Sequence, residues 1–266
     1  MAKRAERPTR RGIHHSLASL RKQWEALHAG DREPWPTSPE AQNAWLLVHN
    51  GAFEAAMATG AQADGSGINA ANKAACVYAS HLETDAGRQQ RLLLDAAARA
   101  LALQQAEPLC ANAWYWYAVA LGRYSQTISV AKSLAEGLGT RVRKALDQTL
   151  KLEPAHADAH IAMAAFHAEV IDKVGVLIGG MTYGAQVSVG VSHYQTALAL
   201  NPHSAFAKLE AANGLLMLQG ASRRAQAHDL LLQAAQLRAR DVVEQLEVTQ
   251  AQRELESWPF TNGPAN

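Results

Sequence analysis

The chain has 266 residues, of which 54 are Ala and 31 Leu, against only 16 aromatic residues and nine Pro. That composition points to an all-α protein and excludes a sandwich or barrel, which would need regularly spaced β-branched strands and turns. A net charge of +1 gives no global attraction to nucleic acid, and 48% hydrophobic residues exclude full disorder.

Residues 1–12 set Lys3, Arg4, Arg7, Arg10 and Arg11 against Glu6. They are expected to form a basic, disordered tail, with association to nucleic acid or an anionic membrane surface as its functional alternative. Leu17, Leu20, Trp24 and Leu27 fall on one apolar stripe and predict a helix over 16–29, ended by Gly30 and Asp31. Pro34, Pro36 and Pro39 then make a stiff connector, with Ser38 an N-cap candidate. Further helices are expected near 39–49, 52–63, 68–83 and 85–106, with Asp64-Gly65-Ser66-Gly67 as the clearest loop and Thr84 or Asp85 capping the last. No apolar run approaches the ~18 residues of a membrane span. The basic N-terminus lacks the apolar core of a secretory signal, so a cytoplasmic location is expected. Cys76 and Cys110, in Ala-rich stretches, read as buried small hydrophobes rather than a disulfide framework.

Three isolated prolines punctuate the rest: Pro108, Pro154 and Pro202. Each follows one Ala/Leu-rich helical run and precedes another, which is one supersecondary unit repeated. Five residues after each proline stands alanine (Ala113, Ala159, Ala207), and ten residues after it alanine again (Ala118, Ala164, Ala212). The inward face of one helix then reads Trp114, Tyr117, Ala118, Leu121 in the first unit. It reads His160, Met163, Ala164, His167 in the second and Lys208, Ala211, Ala212, Leu215 in the third. A small residue among large ones on an i, i+3, i+4, i+7 face lets antiparallel helices approach closely.

These features resemble the tetratricopeptide repeat (TPR) family, with a proline after helix B and a small residue in helix A. Leu150 to His160 and Ala197 to Pro202 are good instances. Three blocks are most similar to the regulator of microtubule dynamics family and its bacterial relatives of unknown function: Ala111 to Tyr124, Val130 to Pro154, and His156 to Gly184. The resemblance covers roughly residues 85–240 and implies a TPR-like α-α superhelix of antiparallel hairpins. One helical-repeat domain over 13–257 is expected, with a loose tail over 258–266. The last helix is placed at about 240–256.

Candidate sites are sparse. His156, His160 and His167 lie near Glu169 and Asp172, and the first two have the i, i+4 spacing of shared metal ligands. Their positions in the repeat favour packing histidines, and no metal or other cofactor is expected. Trp114 and Tyr117 should face the partner helix, leaving Tyr115 and Trp116 for another layer or a groove. Gly175, Gly179, Gly180 and Gly184 follow no strand and precede no Gly-Lys-Ser/Thr, so a buried elbow is expected rather than a phosphate loop. No catalytic constellation stands out. The chain therefore reads as a non-catalytic scaffold that docks a protein or peptide partner, with Trp116, Arg123, Tyr124, Lys132 and Arg141 as candidate contacts and no small-molecule substrate. A metal-dependent protein built on the histidine cluster is the alternative.

Overall fold

The computed structural model describes residues 13–258; the basic tail over 1–12 and residues 259–266 lie outside the described residues. The helices run α1 (Leu17–Leu27), α2 (Pro39–His49), α3 (Phe53–Gly60), α4 (Gly65–His81), α5 (Ala86–Ala106), α6 (Ala111–Gln126) and α7 (Val130–Ala135). They continue with α8 (Leu138–Leu152), α9 (Ala157–Tyr183), α10 (Val187–Leu200), α11 (Ala205–Gln219), a 3-10 turn (Gly220–Arg223), α12 (Arg224–Gln236) and α13 (Val242–Glu256). No strand occurs among the described residues. Short polar side chains set the starts. Ser38, Asp64, Asp85, Ser129, Ser204 and Asp241 each accept a hydrogen bond from the backbone N–H three residues on.

Two expectations need correction, and one further glycine divides a helical stretch. Asp64-Gly65-Ser66-Gly67 is no free loop but the cap and first turn of α4, with Asp64 accepting from the Gly67 N–H at 3.2 Å. Its glycines allow contact rather than break the helix. A Cβ on Gly60 would meet the Gly67 carbonyl at 2.3 Å, so α3 and α4 touch backbone to backbone. The connector after Val130 is two helices, because Gly137 takes a left-handed conformation (φ 62°) and separates α7 from α8. The glycine-rich elbow is only partly buried. Gly175 (φ 80°) breaks α9, and beyond it the chain folds back so that Gly179 is buried against Val170 and Ala185, while Val176, Leu177, Ile178 and Met181 are exposed.

The three proline corners are geometrically equivalent. The residues before them, Glu107, Glu153 and Asn201, share one extended conformation (φ/ψ −130/73°, −135/87° and −135/73°) and each N–H closes onto the preceding helix, at Leu103, Thr149 and Ala197. Two residues after each proline the next helix is capped by Cys110, His156 and Ser204, again in closely similar conformations. All six aligned alanines are buried. Of the aligned inward faces, Trp114 and His160 are only half-buried and the rest are buried.

These corners build two layers. Helices α2, α4, α6, α9, α11 and α13 touch in that order, and α13 returns to α2. Helices α3, α5, α8, α10 and α12 each bridge two successive members of that first series. Alanine at the crossings brings the axes close. Gly214 shows how close: a Cβ there would lie 1.8 Å from the hydroxyl of Tyr194, whose ring is fully buried between α10 and α11. Gly214→Ala should therefore cost about 1–3 kcal/mol by overpacking, despite the better helix propensity of alanine, read as a lower urea midpoint at unchanged slope.

Candidate functional site

The turn after α1 carries the first part of a buried polar lattice. Burial alone would forbid these groups, so each must find a partner. Asp31 accepts from the Lys73 ammonium of α4 at 2.9 Å and from His28 Nδ1 at 2.7 Å. His28 Nε2 lies 3.1 Å from His49 Nε2, and His49 Nδ1 lies 2.6 Å from Asp241, the cap of α13. Burial opposes the charge on Asp31, but His28 and Lys73 outweigh it and hold the carboxyl well below its usual range. Burial likewise opposes Asp241, and the His49 hydrogen bond overcomes it. Both ionised carboxylates need a donor, so each histidine carries its Nδ1 proton. The Nε2···Nε2 contact needs one further proton. The two rings thus share three protons and one positive charge. Burial, the largest influence on His28, pushes it down to about 4.

Glu33 forms a second centre. It accepts from Ser66 Oγ (2.7 Å), Asn112 Nδ2 (2.7 Å) and Asn69 Nδ2 (3.1 Å). Burial and then Asp31 push its carboxyl up to about 8, against the pull of these donors. Asn112 passes the lattice on through its Oδ1, which accepts from His156 Nε2 at 2.9 Å, while His156 Nδ1 accepts from the Ala159 N–H.

Two concavities lie beside this lattice. One, about 140 Å³, is an apolar groove between α6, α7, α8 and α9, with Val119, Leu134, Leu138, Val142, Phe166 and Val170 in its walls. The other, about 130 Å³, opens between α4, α6 and the N-terminal ends of α9, α11 and α13, and includes Lys73, Asp158, Tyr115, Trp116, Phe206 and Glu247. Tyr115, Val119, Arg123 and Phe206 border both.

The sequence-derived candidates separate on this frame. Trp116 and Tyr124 are buried in the core around α6, although Trp116 also borders the second cavity. Arg123 is half-buried and bonded to Glu210 of α11 at 2.6 Å. Lys132 is exposed at the groove, its ammonium 5.7 Å from the Tyr124 ring centroid. Arg141 is exposed on α8 and donates to the Tyr117 hydroxyl at 2.8 Å, on a different face. Tyr117 joins Tyr115 and Trp116 in the core, whereas half-buried Trp114 donates back to the Pro108 carbonyl. The five residues do not form one surface.

The histidines diverge too. His156 turns into the lattice, His160 meets His193 (2.7 Å), and His167 accepts from the Gln186 N–H (3.1 Å). Among the described residues, no three His, Cys, Asp or Glu side chains are grouped to hold a metal ion. Burial pushes the Cys76 thiol up to about 12, so it stays protonated at neutral pH. The lattice residues His28, Asp31, Glu33, His49, Lys73 and Asp241, and Asp158 at the second cavity, escaped the sequence reading as a site. The one available signal was polar residues on helix faces that otherwise read as apolar, such as Asn69, Asn72 and Lys73 among the alanines of α4.

Proton linkage gives a directional test. His28, His156, His167 and His193 all sit at about 4, against an ordinary 6.5. Between those values the unfolded chain binds more protons, so stability rises with pH. Glu33 at about 8 and Asp158 at about 7 act oppositely: above their ordinary 4.5 and 3.8 the folded state holds the extra proton, and stability falls as pH rises. Four groups outweigh two below pH 6.5, and only the two carboxyls remain above it. Urea midpoints measured across this range should peak near pH 6.5 and decline towards both 4 and 8.

The family model described as regulator of microtubule dynamics protein 1-3 matches residues 53–257. No curated protein matches the chain. Among the described residues no helix is long and apolar enough to cross a membrane.

Proposed function

The chain belongs to the regulator of microtubule dynamics protein 1-3 family, and on that premise we propose that it is a non-catalytic, TPR-like scaffold that docks a segment of a partner protein in the apolar groove between α6 and α9. The microtubule in the family's name does not enter this reading. The observation that carries it is the groove itself: apolar walls remain open to solvent between helices that are otherwise closely packed. Leu134 and Val130 on α7 extend this apolar surface outward and are exposed. Hydrophobic surface of this kind in a concavity fits a helical or extended segment bearing apolar anchors. Lys132 at the edge favours an acidic flank on that segment. In this reading the protein needs no cofactor and acts in the cytoplasm on a protein, not on a small-molecule substrate.

Gly122 on the groove offers a clean test. A Cβ at this position would meet nothing within 4 Å, so a larger side chain enters open space rather than the core. Gly122→Leu should leave thermal stability equal or higher while weakening binding of a partner captured by the wild-type protein by about tenfold. Lys132→Glu should weaken it further for an acidic partner and add salt sensitivity. Equal binding by wild type and Gly122→Leu in a titration with the purified partner would remove the groove from consideration.

A further inference from the structure

The second cavity carries a charge that the protein leaves unmatched. Six other Asp, Glu, Lys or Arg side chains face it, and each has a partner. Lys73 is bonded to Asp31 at 2.9 Å, Asp241 to His49 at 2.6 Å, Arg123 to Glu210 at 2.6 Å, and Glu247 to His81 at 3.2 Å; Arg240 pairs with Glu244. Asp158 alone has no side-chain hydrogen bond or ion pair among the described residues, and it stands half-buried in the cavity wall. Its position is fixed rather than accidental. The Asp158 N–H donates to the Gly30 carbonyl at 3.1 Å, and a Cβ on Gly30 would lie 2.2 Å from the carboxylate. The bare glycine is what leaves room for the acid. A half-buried carboxylate that touches no cation, with only the field of Lys73 near it, leaves a place for a cation from outside the chain.

The rest of the cavity specifies the kind of cation. Tyr115, Trp116 and Phe206 contribute aromatic rings, and Leu27, Val77 and Val243 contribute apolar walls. Aromatic faces beside a carboxylate are the chemistry that recognises organic ammonium groups, through cation–π attraction and a charge-assisted hydrogen bond. Lys73 already shows the local preference, since its own ammonium lies 5.6 Å from the Trp45 ring centroid and 5.9 Å from that of Trp116. A volume of about 130 Å³ suits a molecule of about six to eight non-hydrogen atoms. A hydrated metal ion would make poor use of the apolar walls.

We propose that this cavity is a binding site for a small organic amine, with the ammonium on the Asp158 carboxylate and a short apolar body against Tyr115, Trp116 and Phe206. The site adjoins the groove between α6 and α9, sharing Tyr115 and Phe206 with it, but the proposal does not rest on what the groove binds. Asp158 is held at about 7 by burial and by Asp31, so it must lose its proton to receive the amine. Binding therefore strengthens as pH rises from about 6 to about 8.

Calorimetric titration of the whole protein with benzylamine, benzyl alcohol and benzoate tests this, because the three probes share size and shape and differ in charge. Benzylamine should bind, and both others should bind on the order of thirtyfold more weakly or not at all. Asp158→Asn should abolish that preference while keeping the helical circular dichroism of the wild type. Should Asp158→Asn fail to fold, the wild-type pH series serves in its place, with benzylamine affinity rising between about pH 6 and 8. The proposal is overturned if benzoate or benzyl alcohol binds as well as benzylamine, if none of the three binds, if Asp158→Asn retains the preference, or if affinity is flat or falls across that pH range.

Discussion

The arrangement rests on one hydrogen-bonded chain, Asp31–His28–His49–Asp241, which ties the turn after α1 to α2 and then to the cap of α13. Its ends are separated by most of the sequence. The His49–Asp241 contact alone spans 192 positions. Without that link the contact of α13 with α2 would depend on a small apolar seam involving Val242, Val243 and Leu246. With it, the first series of helices meets its own beginning. The cost is a deep set of polar and charged groups, tolerable only because each member has a hydrogen-bonding partner and Lys73 supplies a cation for Asp31. Removing one member leaves its neighbour charged and unpaired, so the chain acts as a unit rather than as separable contacts.

Packing elsewhere depends on small residues. Alanines at the aligned positions of α6, α9 and α11 are buried, and Gly214 admits the Tyr194 ring where no side chain could fit. Close helix contact of this kind leaves few gaps. The two concavities therefore stand out as places where the close packing stops. They differ in chemistry although they share Tyr115, Val119, Arg123 and Phe206 as a boundary. The Arg123–Glu210 pair sits at that boundary and links α6 to α11. One side is apolar and open, suited to a protein segment. The other is aromatic and acidic, suited to a small cation.

Two sequence readings misassigned glycine for one reason. Gly65 and Gly67 read as chain breakers, yet Gly67 lets α4 begin against the end of α3 and Gly65 makes room for the Glu107 carboxylate. Gly175 to Gly184 read as a buried elbow, yet it is only partly buried, and Val176, Leu177, Ile178 and Met181 are exposed. Glycine reports that the backbone needs room or an unusual angle. It does not say which, nor whether a neighbour stands opposite.

The sequence by itself determined most of the helices, the caps at Ser38 and Asp85, and the three equivalent corners at Pro108, Pro154 and Pro202. These follow from spacings within about 20 residues, where periodicity, capping and proline chemistry act directly. It also carried the family resemblance, through blocks that are contiguous in the chain. The tertiary structure alone decided which polar groups meet. His156 and His160, neighbours by spacing, turn to different partners, because one caps the helix and the other lies on its face. Asp31, His49, Lys73, Asp158 and Asp241 are scattered along the chain and converge only when α13 returns to α2. A local pattern encodes which side of a helix is apolar; the identity of the group across the gap depends on how the layers close, and no local pattern contains it.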